Sequence, residues 1–154
     1  MMQLGWYGNE DIFFRAVTAD TEKPWWLLGV EPASPILDVR GVDALAEVVY
    51  PDKTTVVKVP VQIKGSCAGM REYYRLHPSA RRARVVVLPV NKHFYAEQIL
   101  YFFLRRLERV RQANIRYDDY LAKLESIPVT GKAVEILAVL TKRAAQRQTG
   151  TGAN

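Results

Sequence analysis

The chain has 154 residues, 49% of them hydrophobic and 25% charged, with one cysteine and a formal net charge of +6. This balance excludes a disordered or fibrous chain and leaves enough apolar material for one domain with its own core. No apolar run approaches the ~18 residues of a membrane span, no basic n-region opens the N-terminal stretch, and Cys67 alone permits neither an internal disulfide nor a cysteine metal site, so a cytoplasmic address is expected.

Residues 9–19 read as a first helix, with Asn9 as cap, Glu10 and Asp11 at the positive end of the dipole, and Phe13, Ala16 and Val17 as the apolar stripe. Residues 25–30 form a short strand candidate, closed by a loop holding Pro32 and Pro35. Residues 41–50 alternate as a strand, with Val42, Ala44, Ala46, Val48 and Tyr50 on one face and Asp43, Leu45, Glu47 and Val49 on the other. Pro51-Asp52-Lys53-Thr54 is a turn signal. A second alternating strand covers 55–64, where Pro60 implies a bulge or an edge position. A short helix over 67–76 stops before Pro78, and residues 84–90 read as a strand buried on both faces. A long helix spans 94–112 with Ile99, Phe102, Phe103, Leu107 and Val110 as its apolar residues. Further helices follow at 117–124 and 132–147, ahead of a frayed tail.

The hairpin carries the functional reading. Folding about Asp52-Lys53 gives antiparallel partners whose numbers sum to about 105, so Asp43 faces Gln62. Gln62 and Lys64 share a face because strand side chains repeat every two residues. One end of the hairpin therefore gathers an acid, an amide and an ammonium. Polar groups there are costly unless paired or solvated in a cleft. Asp52, ten residues before Gln62, sits at the hairpin tip, roughly 30 Å away at ~3.3 Å per residue, and reads as a turn residue.

Gly41-Val42-Asp43 followed by Val59-Pro60-Val61-Gln62-Ile63-Lys64-Gly65-Ser66, with Glu10 on a preceding helix, resembles the PD-(D/E)XK nuclease superfamily in a branch where Gln replaces the second acid. The likeness covers roughly residues 8–90. It implies an α/β fold, a restriction-endonuclease-like core with a central mixed β-sheet flanked by helices in the order αβββαβ, here over residues 1–112. A C-terminal helical extension over 113–148 and a flexible tail over 149–154 would follow. It also implies a catalytic set of Glu10, Asp43, Gln62 and Lys64, with Mg²⁺ or Mn²⁺ on Glu10, Asp43 and Gln62 and with Lys64 positioning or activating the attacking water.

The chemistry fits those residue types. Phosphodiester hydrolysis needs a cation to offset developing charge and to acidify a water. Mg²⁺ takes oxygen ligands and needs only one or two protein carboxylates. Gln62 offers a neutral carbonyl oxygen, which lowers the charge of the site and weakens its hold on a cation. The expected activity is metal-dependent hydrolysis of nucleic acid, DNA first, and the resemblance makes a homodimer conceivable. The alternatives are a nuclease-fold module that binds nucleic acid or assembles with protein without cutting, and a helical interaction subunit using 94–110. The plain structural reading of Asp43 and Lys64 is a cross-strand ion pair. Asp38 and Glu47 read as solvated acids, His77 and His93 as structural residues, and Cys67 as a small packed residue.

Charge is unevenly placed. Residues 1–70 hold 6 Lys/Arg against 9 Asp/Glu, a net of −3, and residues 71–154 hold 16 against 7, a net of +9. A basic half beside an acidic one suits a polyanion handled near carboxylates, or else a solvated surface. Arg71, Arg75, Arg81, Arg82 and Lys92 directly follow the hairpin and are the candidate phosphate contacts. Arg105, Arg106, Arg109 and Arg111 read as the solvent face of the long helix.

Overall fold

The computed structural model describes residues 8–152. Residues 1–7 of the leader-free N-terminal reading and 153–154 of the expected tail lie outside the described residues. The elements are α1 (Gly8–Thr18), β1 (Leu27–Pro32), α2 (Pro35–Val39), β2 (Ala44–Val49), β3 (Val56–Lys64), α3 (Cys67–Leu76), α4 (Pro78–Ala83), β4 (Val86–Pro89), α5 (Ala96–Gln112), α6 (Asp118–Ser126) and α7 (Lys132–Gly152). The protein is an α/β chain whose four-stranded mixed sheet, ordered β1-β2-β3-β4, is flanked by helices and followed by a long C-terminal helix.

The β2–β3 register is the expected one: Ala44 faces Val61, Ala46 faces Val59 and Val48 faces Val57. Asp52 builds the turn by accepting from the backbone N–H groups of Thr54 (2.9 Å) and Thr55 (2.8 Å). Lys53 takes the left-handed conformation at φ 67° that a tight turn needs. Pro60 is neither a bulge nor an edge residue. It pairs with Leu45 inside β3. The Tyr50 backbone N–H donates to Thr55 O, which makes alternate pairs hydrogen-bonded and leaves Pro60 in a pair that needs no N–H toward β2. On its other side β4 begins pairing only at Val61, so the missing donor meets no acceptor. The bulge lies in β1 instead, between Leu27 and Gly29.

β4 runs parallel to β3 and is buried throughout, as its β-branched run predicts. The core sits between the sheet and the α1/α5 layer. Phe13 and Phe103, both fully buried, meet edge to face with centroids 5.2 Å apart and planes at 89°. Burying a side chain of that size contributes roughly 1.5–3 kcal/mol. Phe102, expected in the apolar stripe, is 39% exposed. The buried phenols are satisfied: Tyr50 donates to Ile115 O and Tyr117 to Arg84 O, each at 2.7 Å.

Several local readings are corrected. α1 starts at Gly8, so Asn9 lies inside the helix rather than at its cap. The loop with Pro35 contains α2, capped by Ser34, whose Oγ accepts from Leu37 N, with Pro35 in the first turn. Pro78, read as a stop, starts α4. Cys67 is exposed at the start of α3, not packed. The final helix continues past 147 to Gly152 and lies along α2. No helix among the described residues is long and apolar enough to cross a membrane.

Candidate active site

The hairpin end does gather the expected groups. Asp43 follows Gly41, whose φ of +93° turns the chain out of α2 and into β2. A side chain at position 41 would sit 3.2 Å from Gln62 Oε1 and 3.3 Å from Tyr73 Oη, so glycine is required by both conformation and space. Asp43 Oδ2 accepts from Gln62 Nε2 at 3.0 Å and from the Ile63 backbone N–H at 2.7 Å. Gln62, 6% exposed, also donates to Ile63 O at 3.2 Å. The amide thus turns its NH₂ toward the acid, and its buried Oε1 has no hydrogen-bond partner.

Glu10 and Asp38 complete an acid cluster. Asp38, at the end of α2, sets its carboxyl beside that of Asp43, and Glu10 on α1 adds its negative field to Asp43 and feels that of Asp38. Glu10 Oε1 is buried and accepts no hydrogen bond, although Arg147 Nη1 stands 3.7 Å away. Burial and the neighbouring Asp38 hold Glu10 up at about 7, against the attraction of Arg147 and Arg143. Burial raises Asp38 as well, while its contact with Asp43 and the two arginines oppose the rise. Asp43 is raised well above the usual carboxylate range by burial, with the Ile63 N–H pulling the other way and Asp38 and Glu10 adding to the rise. Protonation, arginines or a cation can each neutralise three acids held this close.

Lys64 does not pair with Asp43. It makes no ion pair among the described residues, and its Nζ lies 5.1 Å from the centroid of the Tyr73 ring. Tyr73 is buried on α3, feels the Asp43 charge, and borders Gln62 Oε1 through Gly41. The ammonium is thus parked on an aromatic face beside the cluster rather than spent on a salt bridge.

The other candidates separate. Arg71, Arg81, Arg82 and Lys92 are exposed, and Arg75 is held by Glu72 (Nε to Oε2 3.0 Å). Glu47 pairs across the sheet with Lys58, away from the cluster. His77 stacks on Tyr73 at 4.4 Å and His93 is exposed. Arg111 is not a solvent-face residue: it is 6% exposed, donates to Val49 O at 2.7 Å and lies over Trp25 and Trp26.

Among the described residues no three Asp, Glu, His or Cys side chains form a ready-made metal-ligand set. The donor chemistry still suits a hard cation: carboxylates held together against their own repulsion, with two buried oxygens, Glu10 Oε1 and Gln62 Oε1, that accept no hydrogen bond. Sequence reasoning did not place Asp38, Arg143, Arg147 or Tyr73 in the site. The one available signal was Ser34-Pro35, a helix start that carries Asp38 to the Gly41 bend. Comparison with protein-family models, curated proteins and solved structures finds no match to this chain.

Proposed function

We propose that the protein is a metal-dependent nuclease of restriction-endonuclease-like architecture acting on nucleic acid, with DNA as the first substrate to test. The observation that carries this reading is the convergence of Glu10, Asp38 and Asp43 around a buried amide, with two buried oxygens that accept no hydrogen bond and a free ammonium alongside. The order of α1, the antiparallel β1–β2–β3 and the parallel β4 supports the same architecture.

Asp43 and Glu10, with the Gln62 carbonyl, would hold Mg²⁺ or Mn²⁺, and Asp38 joins the set as the partner of Asp43. When bound, the cation offsets charge on the reacting phosphate and acidifies a water. The chain's own groups do the rest. The Ile63 N–H fixes Asp43 at the strand end. Glu10, held near 7 by burial and Asp38 in the cation-free chain, would give up its proton as the cation binds. Lys64, held over Tyr73 and unpaired, orients the water or stabilises the negative charge that builds on the phosphoryl oxygens. The exposed Arg71, Arg81, Arg82 and Lys92 grip the phosphate backbone.

One observation favours a second reading. The Gln62 NH₂ faces Asp43, and Arg147 approaches Glu10, so the acids are partly balanced within the chain. A module that binds nucleic acid without cutting it would look like this. Plasmid nicking in Mg²⁺ and in Mn²⁺ separates the two. The nuclease reading expects nicking that disappears in Asp43→Ala and Lys64→Ala while both variants keep the native circular dichroism spectrum. Binding without nicking by the native chain, or full nicking by either variant, overturns it.

A further inference from the structure

A basic cavity beside β4 shares no lining residue with the acid cluster, although its Arg81 is also one of the phosphate contacts proposed above. A cavity of about 470 Å³ opens between α3, α4, β4 and α5. Arg81 and Arg84 line one side and Arg106 and Arg109 the other, over an apolar floor that includes Met70 and Val86. It continues into a neighbouring concavity that shares Arg81 and Arg84 and adds Arg82.

Three features set these arginines apart from a solvated face. None of the four cavity arginines forms an ion pair among the described residues, whereas nearby Arg75 and Arg111 each have a glutamate. Arg106 is half-buried, with Nη2 3.9 Å from Met70 Sδ and its guanidinium 6.0 Å from the Phe102 centroid. Burying a cation without an anion is costly. Arg84 closes α4 in the left-handed conformation, φ 60° and ψ 44°, where glycine is the unstrained choice. Arg106 thus sits half-buried with only the Phe102 carbonyl and a thioether as hydrogen-bond partners among the described residues, and the αL cap at Arg84 sets a second arginine at the mouth of the same cavity.

We propose that this cleft binds a nucleotide, its phosphate held by Arg81, Arg84, Arg106 and Arg109 and its sugar and base against the Met70–Val86 floor. Arginine forks match phosphate oxygens, and their planes stack on bases. The cavity is larger than a bare phosphate needs and lies in the range of small-ligand pockets. The same chemistry is offered by a free mononucleotide and by the phosphorylated end of a strand.

The test is calorimetric titration of the full chain in EDTA with AMP, adenosine, inorganic phosphate, and a short single strand with or without a 5′-phosphate. AMP should bind more tightly than adenosine or phosphate. Arg106→Gln and Arg84→Gly should each weaken it by about tenfold, the loss of one charge-assisted contact. Arg84→Gly should also raise Tm, because glycine relieves the strain and the backbone acceptor for Tyr117 remains. A strand that binds only when phosphorylated, and as tightly as AMP, assigns the site to strand ends. AMP binding without strand binding assigns it to free nucleotide. AMP affinity no greater than that of adenosine, or unchanged in both variants, overturns the proposal. Asp43→Ala should leave AMP affinity unchanged whether or not the acid cluster cleaves nucleic acid, so the two readings fail separately.

Discussion

Asp38 and Asp43 bring their carboxyl groups side by side across the Gly41 bend, and each is raised by burial there. Two carboxyl groups in that position cannot both ionise without repulsion, so the pair favours sharing one proton. Asp43→Asn tests whether this arrangement trades stability for chemistry. The asparagine oxygen can accept from Ile63 N–H and Gln62 Nε2, as Oδ2 does, while its NH₂ donates to Asp38. The variant should melt higher than the native chain in EDTA and lose metal-dependent cleavage. A lower melting point would mean that the cluster is held by the Asp43 charge rather than strained by it.

The raised carboxyls set a pH dependence. A carboxyl whose folded value lies above its unfolded one holds its proton more tightly in the native state. Its contribution to stability is complete below the unfolded value, about 4.5 for Glu10, and is lost as pH climbs through about 7. Asp38 and Asp43 shift in the same direction. Asp52, lowered to about 2 by its bonds to Thr55 and Thr54, acts oppositely and costs stability only in acid. Tm in EDTA should therefore fall between pH 5 and pH 8, and Glu10→Gln should flatten the decline. Mg²⁺ should raise Tm more at pH 8 than at pH 5.5, since protons and cation compete for the same oxygens. Thermal melts across that range check all three outcomes.

Gln62 tests the proposed cation site. Its NH₂ now satisfies Asp43, and its Oε1 is buried without a donor. Gln62→Glu removes the donor and adds a fourth acid. The variant should lose about 1–3 kcal/mol of stability in EDTA at pH 8, the cost of an unsatisfied buried acceptor and added repulsion. It should regain most of that in Mn²⁺, with a lower cation concentration at half-effect than the native chain. Chemical denaturation with and without Mn²⁺ measures both quantities.

The parts of this site that lie close in sequence were legible. A turn at Asp52-Lys53 and strict alternation determine the β2–β3 register, and that register brings Gln62 to Asp43. Asp38 escaped because α2 has five residues, too few for a helical period to show. The alternative reading of Asp43 and Lys64 as a plain ion pair fails because the Tyr73 ring, brought in by α3, offers the ammonium another place. Arg147 reaches Glu10 from a helix that begins more than 120 residues later. Nothing in local patterning announces such a contact, since it depends on how α7 lies along α2. Arg111 misled for a related reason: an arginine on the polar side of a helix meets Val49 O and two tryptophans only once β1 and β2 are in place.

That distant contact can be tested directly. Arg147 is 9% exposed, approaches Glu10 at 3.7 Å and lowers both Glu10 and Asp38 against the burial that raises them. Arg147→Met keeps the length and apolar stem of the side chain and removes its charge. At pH 5, where Glu10 holds its proton, the change should matter little. At pH 8 the acids lose a counter-charge inside the fold, and the variant should be less stable than the native chain by roughly 1–3 kcal/mol. Mg²⁺ should then recover a larger share of stability in Arg147→Met than in the native chain, because the cation takes over the balancing that the arginine performed. Equal losses at pH 5 and pH 8 would assign Arg147 to the packing of α7 alone and leave the acid cluster without its internal counter-charge.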